Sequence, residues 1–353
     1  MERFVVGVDI GSTGSTLGLF LSDSTTQNDT QNNNTPLRTT TVTVSEYSGS
    51  FDRFTDTLAE KIQHLIGSDP VEAIGVASTG IYNHEGCCVK ASTVPMLEGN
   101  NIPLALEDRL NIPVAVGNDA DAGGLGVAEV VGGEFLYLVM GGGLGGAWIS
   151  EGTINYASRD CHNIHPTSEP GHVVSFPIEM LKTVLSSRNG DYVVLEENLR
   201  QAYPADRIFD DSATGIRAGR VVSGHGLFRL FRSVAGEKYP DIDDPATAGE
   251  KITGLRRFLV EEAIDTYDIF SRLLAYVANE VVKTATTGSR REEPLRIYIG
   301  GKPAQAFHYF APAAQGFLTA LYDAPARLLR TPYNDGRNAN LIGAAVLARR
   351  LMI

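Results

Sequence analysis

Cysteine is scarce in this sequence of 353 residues: there are three, of which Cys87 and Cys88 are adjacent and Cys161 stands alone. No CxxC pair and no Cys/His spacing suited to tetrahedral zinc occurs, and so few thiols exclude a disulfide scaffold. Reduced thiols in a cytoplasmic protein are the simplest reading. Long apolar runs are also missing. None approaches the ~20 residues needed to cross a bilayer, so no membrane span is expected. The opening MERFVVGVDIGS lacks a basic region and its apolar part is strand-like, so no secretory leader is expected. Positive charge is in deficit: the formal net charge is −12. That argues against nucleic acid or an anionic membrane as the main partner. It leaves open a phosphate ligand, which needs only local backbone N–H groups and a metal.

What remains is the profile of an ordinary globular protein, 43% hydrophobic and 20% charged, with room for roughly two domains. The most informative stretch is VAVGNDADAGGLGVAE, Val114 to Glu129. An apolar strand runs into the polar tip Gly117-Asn118-Asp119, and a small-residue helix opens at Ala120. A carboxylate at a strand end with a helix N-terminus behind it suits a general base aimed into a cleft. Its bland alternative is a helix cap.

Two other stretches share one logic of strand, glycine-rich turn, strand. FVVGVD (Phe4 to Asp9) leads through GSTGST into TLGLFL, and FLYLVM (Phe135 to Met140) leads through GGGLGG (Gly141 to Gly146) into AWIS. The first turn has neither the Lys of a P-loop nor the following helix that a P-loop or a dinucleotide fingerprint requires. It can still cradle phosphate through successive N–H groups and hydroxyls while Asp9 holds a metal or its water. Two such turns suggest two related halves facing one phosphate-bearing ligand.

Along the chain, Ser22 to Arg38 is a polar, low-complexity loop between strands, followed by the strand TTTVTVSEY. Phe51 to Ile66 has Phe54, Leu58, Ile62 and Leu65 on one helical face. AIGVA (Ala73 to Ala77) is a strand and Ile102 to Leu110 a short helix. His84, Glu85 and the two adjacent cysteines are spaced wrongly for a tetrahedral metal site. Glu169 and His172 lie three apart in a loop bent by Pro170-Gly171, where both could hydrogen-bond a polyhydroxylated ligand. VVSGHGLFRLF (Val221 to Phe231) reads as a turn into a helix, Tyr239 to Gly249 as an acidic connector, and Ala263 to Thr284 as a long helix. RIYIGG (Arg296 to Gly301) is a strand into a glycine turn, with a helix expected just after Pro303 and a last helix over Asn340 to Leu351.

Taken in order, these motifs resemble the actin/hexokinase/Hsp70 ATPase superfamily, and within it the sugar kinases of the ROK and bacterial glucokinase groups. DIGSTGST (Asp9 to Thr16) resembles the first phosphate motif, and GNDADAGGLG (Gly117 to Gly126) the signature carrying the catalytic Asp. VMGGGLGGAWISEG (Val139 to Gly152) resembles the second phosphate motif and SEPGHV (Ser168 to Val173) the Glu-x-Gly-His sugar motif. VVSGHGLFRLF resembles the downstream glucokinase segment, IYIGGK (Ile297 to Lys302) the adenosine-motif strand, and NLIGAAVLA (Asn340 to Ala348) the C-terminal helix.

The resemblance implies an α/β protein of two actin-like ATPase (ribonuclease H-like) domains with a central cleft, residues 1–118 plus 338–353 and residues 119–337. It implies an ATP-dependent, Mg2+-requiring hexose kinase in the cytoplasm, acting on a primary hydroxyl, with glucose the default sugar. Asp119 would be the base. Asn118, Glu169, His172 and Thr93 would bind sugar. Asp9, Gly11, Ser12, Thr13, Gly141, Gly142, Gly143, Gly145, Gly300 and Gly301 would bind the nucleotide, Asp9 also serving Mg2+. A homodimer is a family expectation, and neither nucleic acid nor membrane is an expected partner. The sequence departs from the pattern at Gly142, where the family usually has Thr, at Gly219, where it places an acidic sugar contact, and at Thr93, where an Asn often stands. The region after the sugar motif lacks the family's zinc-binding cysteines, so no zinc site is expected. Fructose, mannose or an N-acetylhexosamine as sugar, and ADP or polyphosphate as donor, stay open. The competing reading is a sugar sensor of the same fold without turnover. A DNA-binding repressor is not expected, because the chain opens on the first phosphate strand and is acidic.

Overall fold

The computed structural model describes residues 2–11, 14–22, 34–43, 49–91, 94–155, 165–202, 215–286, 293–333 and 338–352. Ser12, Thr13, Thr93, Cys161 and most of the polar loop after Ser22 lie outside the described residues. The chain divides into two compact units, Met1–Tyr137 with Ala147–Ile164 and Thr331–Ile353, and Leu138–Gly146 with His165–Arg330.

The first unit is built on a five-stranded sheet. Its strands are β1 (Phe4–Ile10), β2 (Gly14–Leu21), β3 (Arg38–Thr43), β4 (Val71–Ser78) and β7 (Val114–Asn118), in the order β3-β2-β1-β4-β7. β1, β2 and β3 form an antiparallel meander, while β4 and β7 continue the sheet parallel to β1. β1 lies between two strands, and Val5, Val6, Val8 and Ile10 are fully buried, which accounts for its unbroken apolar run. A small ribbon of β5 (Ile81–Tyr82) and β6 (Cys88–Lys90) follows β4. Helix α1 (Phe51–Ile66) lays Phe54, Leu58, Ile62 and Leu65 into the core beneath the sheet, as its periodicity predicts. Helix α2 (Ile102–Leu110) has the predicted bounds. Asn101 caps its first turn by accepting from the Leu104 N–H at 2.9 Å, and Asn111 ends it in the left-handed conformation. Helix α3 (Asp119–Val131) follows β7 without a loop.

A second five-stranded sheet has the order β10-β9-β8-β13-β14. Its strands are β8 (Phe135–Met140), β9 (Leu144–Ser150), β10 (Thr153–Ile154), β13 (Leu295–Gly301) and β14 (Ala326–Arg330). It repeats the first sheet's order of strands, three consecutive strands and then two more on the other side of the first. The Glu-x-Gly-His segment, read from sequence as a loop, forms a single helical turn, α4 (Pro170–Val173). A ribbon of β11 (Ser175–Pro177) and β12 (Gly215–Arg217) follows, with α5 (Ile178–Ser186) and α6 (Tyr192–Ala202) between its strands.

Further helices of the second unit are α7 (Gly224–Ala235), α8 (Pro245–Arg257), α9 (Glu261–Ala285) and α10 (Phe307–Tyr322). The acidic connector ends at Asp244, which caps α8; the Pro245 that favours a connector in the sequence sits instead at the first helical position, where proline is well tolerated. After Pro303 comes a 3-10 turn over Lys302–Ala306, and the helix proper begins at Phe307. α9 and α10 pack through aromatic edges, with the Phe270 and Phe310 rings 5.4 Å apart. The last helix, α11 (Ala339–Arg350), packs in the first unit against β1, β4 and α3. Among the described residues no helix is long and apolar enough to cross a membrane.

Candidate active site

In the first unit the cap of α3 lies at the polar tip of β7. The N-cap of α3 is Asn118, whose side-chain oxygen accepts from the N–H of Ala120 at 2.8 Å and of Asp121 at 3.3 Å. Its amide nitrogen donates to the Gly80 carbonyl at 2.9 Å, tying the tip of β7 to the turn after β4. Asp119 is therefore not consumed in capping. It is the first helical residue, and one of its oxygens accepts from the Ala120 N–H at 2.9 Å. Burial, followed by the negative charge of Asp9, raises its pKa from 3.8 to about 6.

Asp9 is the penultimate residue of β1, paired to Thr16 of β2 and Ala77 of β4. Burial raises its pKa and two amide donors oppose that rise. Asn338 donates to Oδ2 at 2.5 Å and Asn340 to Oδ1 at 3.5 Å. These two asparagines, at the start of α11, are absent from the sequence-based site. Next in the chain, the Gly11 N–H donates to the Gly14 carbonyl at 3.0 Å, closing the turn of the first phosphate motif. Tyr137, 1% exposed, has its pKa raised by burial and then by the Asp119 and Asp9 charges. Two mutually repelling, desolvated carboxylates with hard oxygen donors fit a small divalent cation, which would relieve both effects.

In the second unit the turn between β8 and β9 is the meeting point. The Gly141 N–H donates to the Gly143 carbonyl at 3.0 Å, and added methyl groups at either glycine would point into open space. The Gly141 carbonyl accepts from the Gly224 N–H at 2.8 Å, bringing the N-terminus of α7 onto the turn. Ser223 caps that helix, accepting from the Gly226 N–H at 2.9 Å. Gly301, with φ +85°, closes from the other side: a Cβ there would lie 2.0 Å from the Met140 carbonyl oxygen. Gly300 is buried at the end of β13 beside it, while Gly142 in the turn and Gly145, the second residue of β9, are partly exposed. The open space around the glycines and the nearby N-terminus of α7 make this turn suitable for an anion. His225, the second residue of α7, has its pKa lowered by burial, with Arg229 and Lys302 adding positive charge and Asp244 opposing them.

The Glu-x-Gly-His segment docks on the same hairpin. The Gly146 N–H donates to the Ser168 carbonyl at 2.9 Å, and a Cβ on Gly171 would lie 2.4 Å from the Leu144 carbonyl oxygen. Glu169 is 8% exposed and His172 is exposed; the His172 N–H donates to the Glu169 carbonyl at 3.0 Å, closing the turn of α4. Glu169 is the residue that precedes this turn and His172 its third residue. Gly219, where the resemblance leads one to expect an acid, packs on Gly171 instead. Among the described residues no three His, Cys, Asp or Glu side chains form a metal-binding group.

The sequence model of the ROK family matches residues 5–167. No curated protein matches the chain with significance. Among solved structures, a ROK glucokinase from Streptomyces griseus in complex with glucose and AMPPNP superposes with a TM-score of 0.69 at 18% identity, covering 98% of this chain and 99% of that one. A ROK hexokinase from Thermus thermophilus gives 0.63 at 20% identity, covering 99% of each chain. A ROK family transcriptional regulator, a homolog of the E. coli MLC protein, gives 0.65 at 16% identity over 99% of this chain and 80% of that one. Residues 5–167 thus match the ROK family model, and the chain as a whole carries the fold of these structures, with two actin-like ATPase-type domains.

Proposed function

We propose that the protein is an ATP-dependent hexose kinase that phosphorylates a primary hydroxyl, the 6-OH, with glucose as the first candidate sugar. The observation that carries this reading is the division of labour at Asn118-Asp119. Asn118 does the capping, and Asp119 keeps a carboxylate whose pKa is raised to about 6. A base in that range is largely ionised at neutral pH and still basic enough to take a hydroxyl proton. In this reading Asp119 removes the proton as the sugar oxygen attacks the γ-phosphorus. Glu169 and His172 hold the sugar hydroxyls, joined by Asn118 and Thr93. A site built to pair hydroxyls rejects analogues lacking them. The turns at Gly11 to Thr13 and Gly141 to Gly145 hold the phosphates, and Gly300 and Gly301 let the backbone approach adenosine. Asp9 would hold Mg2+, directly or through water, and the ion when bound neutralises phosphate charge.

The S. griseus structure contains glucose and AMPPNP, and its likeness to this chain supports the sugar and the donor. A second reading, a sugar sensor without turnover, has support in the fold shared with the transcriptional regulator and in Gly142, which lacks a hydroxyl in the second phosphate turn. Asp119 favours the kinase, because a pure binder has no use for a base. The deciding experiment is a coupled ADP-release assay with MgATP against hexoses and N-acetylhexosamines. Release dependent on one preferred sugar is the expected result. Absence of release with every sugar, from protein that binds one by calorimetry, would select the sensor.

A further inference from the structure

Asp9 lies near the N-terminus of the chain, yet the groups that fix its carboxylate come from the last helix, 329 and 331 residues away in sequence. Each Asp9 oxygen receives one carboxamide N–H, Oδ2 from Asn338 and Oδ1 from Asn340. Neutral donors orient a carboxylate without cancelling its charge, whereas a Lys or Arg there would compete with any cation. Both asparagines are themselves held. The Asn338 side-chain oxygen caps α11, accepting from the N–H of Asn340 at 3.0 Å and of Leu341 at 3.4 Å, so one amide group caps with its oxygen and clamps with its nitrogen. Asn340 occupies space left by Gly123 of α3: a Cβ there would lie 2.4 Å from Asn340 Oδ1 and 2.5 Å from the Tyr137 ring. The body of α11 is fixed by backbone-to-backbone approach to its neighbours. A Cβ on Gly7 of β1 would meet the Leu341 carbonyl oxygen at 2.6 Å, and one on Gly75 of β4 the Ala344 carbonyl oxygen at 1.8 Å. The clamp is thus mounted on a helix that cannot shift without disturbing the sheet that carries Asp9.

We propose that Asn338 and Asn340 are positioning residues that hold Asp9 oriented and negatively charged for a divalent cation accompanying the nucleotide, making α11 part of the phosphate site. This rests on the kinase reading for the role of Asp9. It adds two residues that the motif pattern did not mark. Groups that orient a metal-binding carboxylate typically change metal affinity by roughly 10- to 100-fold when removed.

Asn338→Ser separates clamp from cap. Ser caps a helix about as well as Asn but is too short to donate to Asp9. Asn340→Ala removes the other donor. The measurement is calorimetric affinity for AMPPNP with and without Mn2+, on the full chain, together with the melting temperature. We expect each variant to lose about tenfold of the Mn2+-dependent part of the affinity, with metal-free AMPPNP binding and melting temperature near wild type. Unchanged Mn2+-dependent affinity in both variants would overturn the proposal. So would equal losses with and without Mn2+, which mark a structural role only. Wild-type binding indifferent to Mn2+ would overturn it together with the metal role of Asp9. If Mn2+ strengthens binding through the clamp while no sugar is phosphorylated, the proposal stands and only the kinase reading fails.

Discussion

Gly171 and Gly219 pack backbone on backbone: a Cβ on Gly219 would lie 3.1 Å from the Gly171 carbonyl oxygen and 3.2 Å from its Cα. Glycine at position 219 is therefore a packing feature. The two glycines differ in tolerance. A methyl group on Gly219 needs a shift of a few tenths of an ångström, while one on Gly171 meets the Leu144 carbonyl oxygen at 2.4 Å, and backbone must move. Gly219→Ala should raise the sugar KM about tenfold or less with the ATP KM unchanged, as expected when only sugar binding is disturbed. Gly171→Ala should cost more, in sugar affinity and in stability, by about 1–3 kcal/mol of overpacking. Steady-state kinetics and melting curves on both variants check the order; equal effects would contradict it.

Asp119 sets the pH dependence. A base with a pKa of about 6 must be ionised to act, so kcat/KM should fall about tenfold per pH unit below that value. Asp119→Asn should lower kcat by roughly 10²- to 10⁴-fold while leaving sugar affinity largely intact. Its effect on stability has the opposite sign. The folded-state pKa is raised from 3.8, so the folded form binds a proton more tightly than the unfolded chain. This group's contribution to stability therefore declines as pH rises from about 4 to about 6 and stays unfavourable above that. Removing the charge should stabilise the protein at pH 7.5 by about 1 kcal/mol, allowing for its partial exposure to water, with a melting point higher by about 2–4 °C. A variant that is inactive and less stable would contradict the assignment of a strained, functional carboxylate.

Asn118 links the cap of α3 to the Gly80 turn, so its two hydrogen-bonding ends can be tested separately. Asn118→Asp keeps an oxygen for the Ala120 and Asp121 N–H groups but cannot donate to Gly80 at neutral pH. Asn118→Ala loses both ends and should be destabilised by about 1–2 kcal/mol. Both should lower kcat, because Asp119 is the next residue in the chain, and Asn118→Asp also brings a second charge to it. Chemical denaturation and the pH profile of kcat/KM read the two effects: the Asp variant should shift the acidic limb of that profile upward in pH.

Much of this was legible in the sequence where a signal is local. The buried strand β1, the amphipathic α1 and the capped α2 each carry their pattern within a few residues. The repeated strand-turn-strand units foretold two sheets of the same strand sequence. Short or edge elements were harder. β14, with the sequence ARLLR, is too short to show a clear alternation, and it pairs parallel to β13 alone. α5 and α6 lie in a stretch of mixed composition, and the start of α8 lies in an acidic, proline-containing segment that reads as a connector. The turn of α4 is too short to show a helical period. At the candidate site, Asp9 and Asp119 stand out in the sequence because each lies where an apolar strand gives way to a polar or glycine-containing turn. Asn338 and Asn340 were not, since their contact with Asp9 spans nearly the whole chain; the only local hint was an Asn before a helix, which signals a cap.

The glycine of NLIGAAVLA offers the sharpest test of how α11 is seated. A Cβ on Gly343 would lie 1.6 Å from the Ala122 carbonyl oxygen of α3, and one on Gly126 of α3 would lie 2.3 Å from the Ala339 carbonyl oxygen. The two helices therefore cross with each helix's glycine against the other's backbone. No side-chain rotation can relieve a clash with a carbonyl on a buried helix, so the helices must separate. Gly343→Ala loses nothing in helix propensity, since Ala is favoured over Gly by about 1 kcal/mol in a helix interior. Any destabilisation must then come from the crossing. We expect a net loss of about 2–4 kcal/mol, larger than ordinary overpacking because the obstacle is backbone. Separation of α11 from α3 would also move Asn338 and Asn340 away from Asp9. Folded Gly343→Ala protein recovered at low temperature should thus show weakened Mn2+-dependent nucleotide affinity. A conservative change on the same helix, Leu347→Met, should alter neither quantity. A Gly343→Ala protein as stable as wild type would show that α11 is not seated by this contact.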